Sequence, residues 1–201
     1  MHVTVLYRRT TVSVLWAALL AWPTAGAAQT YTQPDQCDFM TSAGWLNTTA
    51  HETHPLAKAT FAVAGGCKDG SVTWGHLDYT DEGNGLNVTS TSITAYIWGG
   101  NDGADPKTGR AHGTRFICGT ATTNLFGDVD FGVMANDGGE PRNSDGFIIR
   151  LRNKAGSTVY MSENPQEDFT LGSSGSSGGN IQLHTPSGGS FGGSCPAFFQ
   201  G

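Results

Sequence analysis

The chain has 201 residues and a mass of 21.1 kDa, with 29 Gly, 8 Pro and 14% charged residues. Low charge density and an aromatic content of 10% exclude a disordered acidic tail, and scattered glycine excludes a long coiled coil. The formal charge of -6, from 17 acids and 11 bases, argues against nucleic acid or an anionic membrane as a partner.

Residues 1–28 read as an export signal. Arg8 and Arg9 precede an apolar stretch from Val12 to Trp22, and Pro23 leads into small residues that include Ala25 and Ala27, the tripartite secretory pattern. Its removal takes away two bases and no acid, so the mature chain is more negative still. No later apolar run is long enough to span a bilayer, so no membrane insertion is expected after signal removal. Residues 29–43 read as a polar lead-in, 44–185 as the folded domain, and 186–201 as a Gly/Ser-rich tail containing Cys195. The four cysteines, Cys37, Cys67, Cys118 and Cys195, lie far apart with no C-x-x-C pair. In an exported chain they imply two disulfides. The favoured pairing joins Cys37 to Cys195, tying the termini, and Cys67 to Cys118.

From Gly44 onward the signals are all β. Ala59 to Gly65 is an apolar run, and after the turn Lys68-Asp69-Gly70-Ser71 comes Val72 to Thr80. There Leu77 and Tyr79 share one face while Trp74, His76 and Asp78 share the other. Leu86 to Trp98 is rich in β-branched residues and predicts a strand with Ile93, Ala95 and Ile97 on one side. Gly99 to Gly113 reads as a long polar loop. Strands are then predicted at Thr114–Thr122, at Asp128–Ala135 with Val129, Phe131 and Val133 aligned, at Gly146–Asn153 with Phe147, Ile149 and Leu151 aligned, and at Ser157–Met161. Two Ser/Gly segments, 172–179 and 187–193, bracket a last short strand, 180–184. No amphipathic helical window appears. The expected fold is an antiparallel, disulfide-tied β-sandwich of about seven to nine strands.

Three stretches carry a resemblance. Gly75-His76-Leu77-Asp78-Tyr79 gives G-H-L-x-Y, Asp137-Gly138-Gly139-Glu140-Pro141 gives D-x-G-E-P, and Gly178-Gly179-Asn180-Ile181-Gln182-Leu183-His184 gives G-G-N-I-Q-L-H. In this order, over roughly residues 43–185, the chain resembles a family of secreted bacterial β-sandwich domains of unknown function. The resemblance implies the sandwich and export, and supplies no reaction. The chain departs from the family's usual form in the arginine that follows the D-x-G-E-P proline and in the length of the 99–113 loop.

Candidate chemistry comes from acids and aromatics. Asp78, Asp81, Glu82, Asp137, Glu140 and Asp145 would cluster if their strands are neighbours, offering a carboxylate pair to glycoside hydrolysis or, through Asp81, Asp137, Glu140 and Asp145, oxygen ligands to calcium. Asn101, Asp102, Gly103 and Asp105 resemble the front of a calcium loop, but the twelfth position is His112, where a bidentate Glu belongs. Calcium is the one candidate cofactor. His51 and His54 are three residues apart, whereas a zinc-protease helix needs four. His76 and His184 lie in strand-like stretches and suit structural hydrogen bonds. Trp74, Tyr96 and Trp98 are candidate ligand-binding aromatics, competing with an ordinary place in the core.

These features point to a secreted, non-catalytic module with a binding or structural role outside the cell and an unidentified extracellular ligand, a glycan among the candidates. The alternatives are a carbohydrate-binding module, a glycan-acting hydrolase, and a subunit that self-associates through a sheet edge or its tail.

Overall fold

Residues 33–48, 57–139, 144–162, 170–173, 176–186 and 188–195 are described by a computed structural model. Residues 1–28, which the sequence reads as an export signal, and His51, His54, Glu140 and Phe198–Phe199 lie outside them. The described residues form strands β1 (Phe39–Thr48), β2 (Ala57–Gly66), β3 (Trp74–Asp81), β4 (Leu86–Ala104), β5 (Ala111–Thr123), β6 (Gly127–Asp137), β7 (Gly146–Asn153), β8 (Thr158–Met161), β9 (Gly172–Ser173), β10 (Ser176–Ser177) and β11 (Gly179–Leu183). A 3-10 turn spans Lys68–Gly70.

Each strand from β1 to β8 pairs antiparallel with the next, so the first eight form an uninterrupted meander. Glycines with positive φ sit at its turns, among them Gly85 at 73°, Gly127 at 67° and Gly156 at 88°, where a side chain would be strained. The chain then returns to its start: β11 pairs antiparallel with the free edge of β1, from Met40 opposite Leu183 to Gly44 opposite Gly179.

Alternation gives this sheet an apolar face, and the sheet curls to bury it. Phe61 of β2 stacks on Phe147 of β7 with ring centroids 3.9 Å apart. The Tyr79 hydroxyl of β3 meets that of Tyr160 on β8 at 2.5 Å. Each pair lies five strands apart in the sheet order, so contact requires the two halves to face each other. Val63, Leu77, Ile117, Val129, Phe131, Val133, Ile149 and Leu151 fill the space between them. The all-β antiparallel class is as the sequence implied. The facing layers are the two halves of one curled sheet, because successive hairpins never let a strand leave the ladder.

The structure corrects several details. The folded part starts before Gly44, since β1 begins at Phe39 and Cys37 and Met40 are fully buried. Most of the expected 99–113 loop is a bulged extension of the β4–β5 hairpin, and only 105–110 is loop. Register shifts between Ser90 and Ser92 and between Ile93 and Ala95 reverse the alternation in β4. As a result Tyr96 faces the core, while Ala95 and Ile97 join Cys118, Cys195 and Phe116 in a small cluster apart from it.

The disulfides are Cys37–Cys67 and Cys118–Cys195, with Cα separations of 5.6 and 5.5 Å, not the pairs favoured from sequence. Cys37 and Cys67 flank the β1–β2 hairpin, whose register sets Phe39 opposite Gly66, so the hairpin pairing itself brings them together. Cys118 then holds the tail, which lies along β4 with Gly192 bridged to Tyr96 by two backbone hydrogen bonds of 3.0 Å. Replacing Cys118 and Cys195 by Ser is expected to remove about 3–4 kcal/mol of stability, read as a shift of the urea midpoint. An unchanged midpoint would show that the bridge stabilises nothing. The two structural disulfides suit an oxidising compartment, and no helix among the described residues is long and apolar enough to cross a membrane.

Candidate binding face and the clusters that support it

In β11, the N–H groups of residues 180 and 182 turn toward β1, and those of Ile181 and Leu183 turn the opposite way, toward β6 and β7, with no strand beside them. Two carboxylates take the place of that strand. Ile181 N–H donates to Asp145 Oδ2 at 2.8 Å and Leu183 N–H to Asp137 Oδ2 at 2.8 Å. The other oxygens accept Gly138 N–H at 3.1 Å and Gly139 N–H at 2.9 Å. Leu171 N–H adds a bond to the Asp145 carbonyl. Leu171 and β11 thus staple the β1 edge to the β6–β7 turn end of the sheet. Glycine permits the crossing: a Cβ on Gly44 would strike the Gly178 carbonyl, and one on Gly178 would strike Gly172.

Asp137 and Asp145, two of the acids singled out from sequence, are therefore brought together, but as acceptors for backbone amides. Asp81 does not join them. It lies at the other end of the strands, fully buried, accepting Tyr160 O–H at 2.7 Å, Thr48 O–H at 3.4 Å and Gly83 N–H at 2.8 Å. Burial raises the pKa of both Tyr79 and Tyr160 far above the ordinary tyrosine value, so both hydroxyls stay protonated beside this acid. Of the expected acidic cluster, Asp81 and the Asp137–Asp145 pair thus lie at opposite ends of the sheet. Among the described residues no group of three His, Cys, Asp or Glu side chains is placed to hold a metal ion.

The calcium-like loop is committed as well. Asp105 Oδ1 accepts the Lys107 and Thr108 N–H groups and the Thr108 hydroxyl, closing its own turn. The Thr108 amide and hydroxyl lead in holding its carboxyl below the usual range. Asp102 belongs to a cluster that the sequence reading missed, centred on Arg115. That guanidinium is fully buried, and each of its five N–H groups has an acceptor. Asp38 takes Nε at 3.1 Å and Nη2 at 2.5 Å, Asp102 takes Nη1 at 2.7 Å and Nη2 at 2.9 Å, and the Thr114 carbonyl takes Nη1 at 2.7 Å. Burial disfavours the charge, but the hydrogen bonds to Asp38 and Asp102 outweigh it and hold Arg115 protonated. Tyr96 O–H donates to Asp38 Oδ1 at 2.7 Å. A lone arginine in a strand with no other Lys, Arg, Asp or Glu, and an aspartate beside Cys37, were the available signals.

Tyr96 is consequently an interior residue, 0% exposed, and is not part of an exposed platform. Trp98 is half-buried, register-paired with Arg115, and its buried indole N–H has no hydrogen-bond partner. Trp74 does lie on the outer face. There its ring meets Phe39 edge-on at 5.7 Å, Phe39 stacks on His184 at 4.3 Å, and His184 Nε2 is 2.8 Å from the Thr41 hydroxyl. Burial, then the nearby Arg110 charge, lowers the His184 pKa from 6.5, so the ring is neutral at pH 7. His76, exposed on β3, and His184 do not pair: His76 lies opposite Ala64, and Ala64 opposite Thr41.

Beside the staple opens a cleft of about 380 Å³, bounded by β11 and the 105–111 turn and lined by, among others, Thr108, Arg110, Asn180, Gln182 and His184. It adjoins the outer face of β1, β2 and β3 through His184. Comparison with family models, curated proteins and solved structures finds no match to this chain.

Proposed function

We propose that the chain is an exported, non-catalytic module that binds an extended polymer outside the cell. The observation that carries this reading is the cleft beside β11, in which amide, imidazole and guanidinium side chains converge next to a sheet face bearing Trp45 and Trp74. Amides and a planar cation supply directional hydrogen bonds, and half-buried rings supply stacking area at little entropic cost. The framework beneath is closed by hydrogen bonds and two disulfides, so binding requires no ordering of the site. The Arg8–Arg9 and Val12–Trp22 pattern supports export, as do the disulfides, and the resemblance to secreted bacterial domains agrees with both.

The test is retention of the full chain on an array of immobilised plant, algal and bacterial polysaccharides, with released reducing ends followed over time. Saturable retention on at least one polymer without release of reducing ends is expected. Retention on none overturns the reading, and steady release of reducing ends replaces it with a hydrolase.

A further inference from the structure

The outer face of β11, β1, β2 and β3 carries two ring–ammonium pairs. Lys68 Nζ lies 4.9 Å from the centroid of Trp74, and Lys58 Nζ lies 5.4 Å from that of Trp45. Both lysines are exposed and both indoles half-buried. The first pair sits in the row Phe39–Gly66–Trp74, where Gly66 offers no side chain between the rings, and the second in the row Trp45–Thr60–Thr80. Along β1, Phe39 and Trp45 are six residues apart, roughly 20 Å. The floor between the rows is made of small side chains: Thr41 opposite Ala64 and Ala43 opposite Ala62. Asn180 and Gln182 of β11 lie opposite Ala43 and Thr41 and border the same floor.

Resting on the binding-module reading, we infer that this face takes an acidic polysaccharide, a chain whose sugar rings carry carboxylates. An indole face accepts the C–H face of a sugar ring. The ammonium that lies over that indole in the free chain swings aside on its flexible stem and meets a carboxylate borne by the ring, which a neutral sugar cannot offer. The small-residue floor lets a linear chain lie flat from one indole to the other, and the bordering amides meet hydroxyls. The chain carries a formal charge of -6, so the lysines at both indoles run against its overall balance. Exposed Asp78 on β3, opposite Ala62, disfavours a carboxylate beside it, so the path from Trp45 runs over β1 and β2 and meets β3 only at Trp74.

Affinity electrophoresis of the full chain in gels containing polygalacturonate, the same polymer fully methyl-esterified, alginate or dextran tests this. Retardation by polygalacturonate or alginate is expected, with binding to the ester at least about tenfold weaker. Trp45→Ala and Trp74→Ala should each weaken acidic-polymer binding about tenfold. Lys58→Gln and Lys68→Gln, which leave the rings and the core in place, should reduce it toward the level of the ester while the melting temperature stays unchanged. Equal retardation by acid and ester, or full binding by the two lysine variants, overturns the acidic-glycan inference and leaves the module reading standing. Binding only to dextran or other neutral polymers does the same. No retardation by any polymer overturns both.

Discussion

Replacing Arg115 by Met is expected to lower the unfolding free energy by about 3–5 kcal/mol, the largest effect of any single substitution considered. The side chain of Arg115 is 0% exposed and that of Asp38 is 4% exposed, so the variant would strand a buried carboxylate without its counter-charge. Arg115→Lys should recover little of this, because an ammonium has three donors where the site uses five in a planar fork. Replacing Arg115, Asp38 and Asp102 together by apolar residues, with Tyr96→Phe to remove the orphaned hydroxyl, should recover most of the loss. The cost lies in breaking the cluster rather than in lacking it. Urea denaturation followed by tryptophan fluorescence gives these values, and a loss under about 1 kcal/mol for Arg115→Met would show that water reaches Asp38 and Asp102 in solution.

The second large effect concerns the staple. In Asp137→Asn or Asp145→Asn one carboxylate oxygen becomes an NH2 group that faces a backbone N–H, setting donor against donor. Each variant should lose about 2–3 kcal/mol, since the lost bonds are charge-assisted and the amide left behind is buried. The double variant should lose less than the sum, because both carboxylates act on the same strand. The residual fold should keep its meander while 170–183 detaches, and the cleft beside β11 would go with it. Polymer binding by these variants should therefore fall with the occupancy of the staple rather than with global unfolding. Variants as stable as the parent would remove the structural role assigned to the two acids.

These clusters show where sequence reasoning succeeds and where it stops. Strands β3, β6 and β7 are legible because their inward residues alternate, as Val129, Phe131 and Val133 do, and β2 because it is an apolar run. β1 is not, since its inward positions include Ser42 and Gly44, which give no hydrophobic period. The Gly44 position is dictated by the crossing of 178–179, a contact between segments far apart in the chain. Tyr96 was misplaced because bulges in β4 reverse the alternation, and a bulge leaves no mark in a run of Ser and Thr. The disulfide pairing followed from the β1–β2 register, which the unrecognised β1 concealed. Asp137 and Asp145 were singled out as candidate acids and Gly179–Leu183 as part of a short strand, but their chemistry was not legible. An aspartate that binds a cation and one that caps an amide look alike until the amide's position is known.

The returning strand closes the curled sheet through carboxylate-capped amides and, in doing so, builds the cleft and completes the outer face. Amide hydrogen exchange of the full chain, resolved by residue, tests this most directly. The account expects Ile181 and Leu183 N–H, which lie on the side of β11 away from β1, to exchange as slowly as the paired amides of β5 and β6. Exchange of those two amides at the rate of exposed backbone, with β5 and β6 still protected, would contradict it.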